Sequence, residues 1–174
     1  MKLAGRLALT VAVAALTVGL GGVPATATPG GSGYVDGDGG AATNDWAGEG
    51  VVNQSTSARS AAAGLWQAFL FSQGYLGSWD DVDCSFGPNT ASATRRFQAD
   101  RGLTVDGSAG PQSFGAADNA LRLAPDGAYD QVLAGTGSRT VSYLRVTNNI
   151  YAFQYQATKG AWLYASYANR SSLC

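Results

Sequence analysis

The chain has 174 residues but no histidine, one glutamate (Glu49), two lysines and two cysteines. Each scarcity removes chemistry. Without histidine there is no Ser-His-Asp or Cys-His nucleophilic site and no His-ligated zinc. Glycoside hydrolysis needs two carboxyl groups, one of them with a raised pKa. The candidates for that pair are poor. Glu49 sits between two glycines expected to be flexible, and the Asp80, Asp81 and Asp83 cluster reads as a solvated loop. Catalysis is therefore not expected, and neither a cofactor nor a metal site is. Arg and Asp carry nearly all the charge, which sums to −1. No basic footprint marks a nucleic-acid partner.

Long apolar runs are also scarce. The one present, residues 7–20, follows Lys2 and Arg6 and precedes the small residues Ala25-Thr26-Ala27. A basic start, an apolar stretch and a small-residue cleavage point make residues 1–27 a secretory signal peptide. The run is short for a bilayer span, and no second one follows, so the mature chain is expected to be secreted, free of the membrane and monomeric. Losing Lys2 and Arg6 takes the formal charge to about −3. Export also places Cys84 and Cys174 where a disulfide persists, and an even count favours an internal Cys84–Cys174 bond. Two separate thiols or an intermolecular bond are the rival arrangements.

What is present divides the remainder in three. Residues 28–56 are assigned as a Gly-rich tether, because Gly, Thr, Ala, Asp and Ser bury too little surface to offset ordering entropy. Asp36-Gly37-Asp38-Gly39 lacks the Glu that closes a calcium loop, and reads as linker. Within 44–56, Trp46, Val51 and Val52 are able to pack onto the helical stretch C-terminal to them.

Residues 57–124 carry helical periodicity and helix punctuation. Ala62, Leu65, Trp66 and Phe69 repeat at i, i+3, i+4 and i+7, with Ser55 or Ser57 as the N-cap and Gly74 as the stop. Pro88 opens a second helix with Thr90, Ala93, Thr94 and Phe97 on one face, and Gly102 ends it before Leu103. Asp106-Gly107 is a turn. Pro111 opens a third helix with Phe114, Ala117 and Leu121, closed by Pro125-Asp126-Gly127. From 125 to 174 the period becomes two. Residues 139–145, 150–156 and 161–167 read as strands, joined at Thr147-Asn148-Asn149 and Thr158-Lys159-Gly160, with residues 128–134 as a candidate fourth strand. Tyr151, Phe153 and Tyr155 share a sheet face. The expected fold class is α+β: a three-helix module followed by a small antiparallel β-meander.

The helical stretch resembles the peptidoglycan-binding domain family over residues 57–118. Leu65-Trp66-Gln67, Leu70 and Gln73-Gly74-Tyr75 match its first part. Asp83, Phe86, Gly87, Thr90, Ala93, Phe97, Gln98, Gly102, Leu103, Asp106, Gly107 and Gly110 match its second at the family's spacing. The departures are Cys84 in place of a turn glycine, Thr94 at a usually aliphatic site and Ser113 where Thr is common. The glycines serve backbone geometry. Phe86, Phe97, Leu103 and Phe114 read as core. Gln67 and Gln98 read as amides that bond loop backbone and hold the helices together. The resemblance implies a secreted, non-catalytic protein of the bacterial cell wall with peptidoglycan as its partner.

Sugar faces stack on aromatic rings, and carboxylates pair with arginine. The ligand-binding candidates on the module's loops are therefore Tyr75, Trp79, Arg95, Arg101 and Asp106. The β unit's aromatics (Tyr143, Tyr151, Phe153, Tyr155, Trp162, Tyr164 and Tyr167) resemble nothing known. They support an alternative, a secreted protein-interaction or inhibitor module. A weak glycan hydrolase is the remaining reading.

Overall fold

A computed structural model describes residues 32–37, 45–125, 131–135, 137–154 and 162–168. The expected leader, Tyr155, residues 158–160 and Cys174 lie outside them. Three helices, α1 (Ala61–Ser72), α2 (Pro88–Asp100) and α3 (Pro111–Asp118), precede a sheet of β1 (Arg122–Leu123), β2 (Gln131–Ala134), β3 (Val141–Arg145), β4 (Tyr151–Gln154) and β5 (Trp162–Tyr164). The strand order is β1-β2-β3-β4-β5, antiparallel throughout, so the fold is α+β with a meander.

The helices start and stop where the punctuation places them, with two corrections. Helix α3 ends at Asp118, short of the expected break at 125–127, so that Leu121 lies past the helix and residues 122–123 are already strand. The cap of α1 is Ser60, whose side chain accepts from the Ala63 N–H, rather than Ser55 or Ser57. Those two are outside the helix because residues 53–56 close their own turn, with Asn53 Oδ1 accepting from the Ser55 and Thr56 N–H groups. Prolines begin α2 and α3 at the first turn, where their missing N–H leaves nothing unsatisfied. After α1 and α2, Gly74 and Gly102 turn left-handed, and the amides of Tyr75 and Leu103 reach back to Leu70 and Gln98 carbonyls. This is the hydrogen-bond pattern of a Schellman cap.

Burial follows the periodicity. Ala62, Leu65, Trp66, Phe69, Ala93, Phe97, Phe114 and Ala117 are fully buried. Trp66 lies between Phe69, Phe97 and Phe114, with ring centroids 5.0–5.5 Å away. Thr94, the departure at an aliphatic site, accepts the Trp66 indole N–H at 2.9 Å and donates to the Thr90 carbonyl. A hydroxyl there satisfies a buried donor that an aliphatic side chain would strand.

The sheet lays Val141, Tyr143, Tyr151 and Phe153 on the helices. Gly64 on α1 permits the contact: a Cβ there would lie 2.4 Å from Cys84 Sγ and 2.7 Å from Phe153 Cζ. The Ala62 amide also donates to the Ser166 carbonyl at 3.0 Å.

Parts of the expected tether are built into this body. Val35 donates to the Ala165 carbonyl and accepts from the Tyr151 amide, and Gly37 donates to Asn149. Val52 exchanges both backbone bonds with Ala109. Trp46 is wholly buried, edge-on to Phe69 and Phe114 of the helices and to Tyr143 and Tyr151 of the sheet. Removing such a ring costs about 3–5 kcal/mol. Composition suggests a linker because apolar residues are sparse here, but Val35, Trp46 and Val52 bury completely. Residues 33–37 and 45–52 form a strap across the junction of the two halves.

Candidate functional site

Two amide cages define the loop side of the helical module. The side-chain Nε2 of Gln67 lies within hydrogen-bond distance of Asp83 Oδ1 (2.8 Å), the Ser85 carbonyl (3.1 Å) and Thr90 Oγ1 (2.9 Å). Its Oε1 accepts the Cys84 N–H at 2.8 Å. Gln98 repeats this with Asp106 Oδ1 (2.8 Å), the Ser108 carbonyl (3.0 Å), Ser113 Oγ (3.1 Å) and the Gly107 N–H (2.8 Å). Both glutamines are buried, and each has the loop partners a buried amide requires.

The cages decide what several acids do. Asp106 is exposed, yet its Oδ1 accepts from both Gln98 and the Ser108 N–H at 2.8 Å. Asp83 does the same with Gln67 and the Ser85 N–H. Asp81 caps the short 3-10 turn at 79–81 from the Ser78 N–H and accepts from Asn89. The Asp80, Asp81 and Asp83 cluster thus builds loops.

The sequence candidates fall into three groups. Tyr75 follows the α1 stop, rests edge-on against Phe97 at 5.6 Å and donates its hydroxyl to Asp100 Oδ2 at 2.8 Å. Partial burial, and then Asp100, push its phenol pKa up. The Arg101 guanidinium lies 5.5 Å from the centroid of the same Phe97 ring, and Arg96 donates to the Tyr75 carbonyl. Tyr75, Arg96, Asp100 and Arg101 therefore make one exposed-to-half-buried polar patch around a buried ring. Arg95 belongs to the second cage: a Cβ on Gly107 would lie 2.8 Å from its Cζ. Asp106 is its neighbour in that turn. Trp79 belongs to neither group. Half-buried, it meets Phe71 edge-on at 5.1 Å. Arg139 covers the same Phe71 ring at 4.8 Å and donates to the Phe71 and Leu76 carbonyls.

A polar site that the sequence reading missed lies under the strap. Asp45 Oδ2 accepts from the Tyr151 hydroxyl (2.5 Å) and Arg145 Nη1 (3.0 Å). Both oxygens of Asp118 on α3 accept the Trp46 N–H, at 2.8 and 2.9 Å. Glu49 is 1% exposed. Its Oε1 accepts the Asp36 N–H (2.9 Å), its Oε2 accepts the Tyr167 hydroxyl (2.7 Å), and that hydroxyl accepts the Gly50 N–H (3.0 Å). Burial pushes the Glu49 carboxyl up to about 8, against the pull of these hydrogen bonds. The expectation that Glu49 stands on flexible chain is corrected. A raised carboxyl pKa suits a general acid, but this one faces protein and bonds two protein donors. The local sequence Asp45-Trp46-Ala47-Gly48-Glu49 carries no periodicity to announce the site.

Compared with known proteins, residues 61–116 match the family model described as "Putative peptidoglycan binding domain". Neither a curated protein nor a solved structure matches the chain.

Proposed function

We propose that this is a secreted, non-catalytic protein that binds bacterial peptidoglycan through its three-helix module. The observation that carries the reading is the family match over residues 61–116, on a segment folded as three helices. The Tyr75, Arg96 and Arg101 patch supplies a ring and cations for sugar faces and stem-peptide carboxylates. Arg95 and Trp79 are further contacts, and Asp106 supports binding through the turn it holds. The loop acids and Glu49 are engaged in structural hydrogen bonds, which favours binding over hydrolysis. Residues 1–27 serve export. A bond from Cys84 to Cys174 ties the C-terminus to the first cage; Cys84 is buried, and no described cysteine is a free thiol.

The test is co-sedimentation of the mature protein with insoluble peptidoglycan. The protein is expected in the pellet, with the suspension's turbidity unchanged. Protein that stays in the supernatant at every salt concentration rejects the binding claim, and falling turbidity rejects the non-catalytic one. The interaction-module alternative draws on Tyr164, which is 53% exposed on the sheet face turned from the helices. A single stoichiometric protein captured from culture medium, with no wall binding, would favour it.

A further inference from the structure

The strap is held by a carboxyl group against which no cation stands among the described residues. Glu49 is enclosed by three elements. Asp36 contributes its N–H and, close by, its own carboxylate. The segment after β5 contributes the Tyr167 hydroxyl. The third element, α3, contributes the nearby Asp118 carboxylate, which is occupied with the Trp46 N–H. Arg145 is bonded to Asp45. An ionised Glu49 would place an anion in a water-poor junction beside two other acids, with two hydrogen bonds to offset it.

We propose that the N-terminal strap is a proton-latched clasp: Glu49 carries its proton while residues 33–37 and 45–50 are seated, and loss of that proton favours their release from α3 and the sheet. The sign follows from linkage. The Glu49 carboxyl sits near 8 in the seated state, against an ordinary 4.5 when the strap is open and hydrated. Protons therefore favour the seated state. The clasp is tightest below about pH 4.5, loosens about tenfold per pH unit between there and about 8, and levels off above. Trp46 spans both halves, so release withdraws its ring from between the sheet and the helices, while the direct contact of the sheet with α1 and the amide cages stay in place.

Glu49 is the sole glutamate, so selective carboxyl-carbon labelling of glutamate in the full mature chain gives one resonance. It is expected to titrate with a midpoint near 8. A midpoint at or below about 4.5 overturns the proposal. Native-state hydrogen exchange supplies the conformational readout. Protection of the Asp36, Trp46 and Gly50 amides, corrected for intrinsic rates, should fall about tenfold per unit over that range, while Leu103, inside the helical module, stays flat. Glu49→Gln mimics the protonated acid and should abolish the slope. A slope that persists in the variant, or strap protection independent of pH in the native protein, refutes the latch. Should the variant fail to fold, the native resonance and native exchange still decide.

Discussion

Gln67 closes the loop after α1 with four contacts, and Gln98 closes the loop after α2 with the same four. Asp-Cys-Ser in one turn stands where Asp-Gly-Ser stands in the other. Both central residues are left-handed, Cys84 at φ 57° and Gly107 at φ 78°. The backbone demand is thus identical, and only one turn meets it with the residue that adopts this conformation freely. A side chain in that conformation costs about 1–2 kcal/mol. Gly107 meets the demand without strain and leaves room for Arg95, whereas Cys84 meets it with a side chain, a cost that the proposed bond to Cys174 would offset.

Four substitutions test how far the two turns are alike. The largest effects belong to the amides. Gln67→Ala and Gln98→Ala each strand several buried partners, and each should cost about 3 kcal/mol in a denaturant titration. If one loss is large and the other negligible, the cages are not equivalent. Next comes Cys84→Gly, whose sign depends on redox state. Under oxidising conditions it should lose about 3 kcal/mol, because the proposed crosslink contributes about 4–5 and the relieved strain returns part. With reductant it should instead be about 1 kcal/mol more stable than the reduced parent. The same sign in both buffers removes the crosslink from the account. The smallest effect is Gly107→Ala, about 1–2 kcal/mol from left-handed strain together with displacement of the flexible Arg95 head, read as a lowered Tm.

The cages also explain why the helical module was readable in the sequence and the strap was not. Gln67, Gln98, the two Gly-Pro helix starts and Gly74 and Gly102 act within local segments, so their spacing carries the geometry. The phenylalanines bury as their 3.6-residue repeat requires. The meander was legible for the same reason, through its two-residue alternation, although Asn148 and Asn149 turn left-handed at the β3–β4 connection. Trp46, Asp45 and Glu49 follow no period. Their partners, Asp118, Arg145, Tyr151 and Tyr167, lie 72 to 118 residues away. Polar composition around a few apolar side chains reads as linker, and only the tertiary fold brings together the groups that bury it. Among the binding candidates, spacing marked Tyr75 and Arg101 as loop and surface residues, but their meeting over Phe97 depends on how α1 packs on α2.

Under the proposed function the helical module engages peptidoglycan through the patch around Phe97. The most direct measurement is a binding isotherm of the mature chain on purified peptidoglycan, beside a Tyr75→Ala/Arg101→Ala variant whose helices remain folded by circular dichroism. Saturable binding is expected, weakened at least about tenfold in the variant, or about 1.4 kcal/mol. An isotherm that does not saturate, or one that the double substitution leaves unchanged, would contradict it.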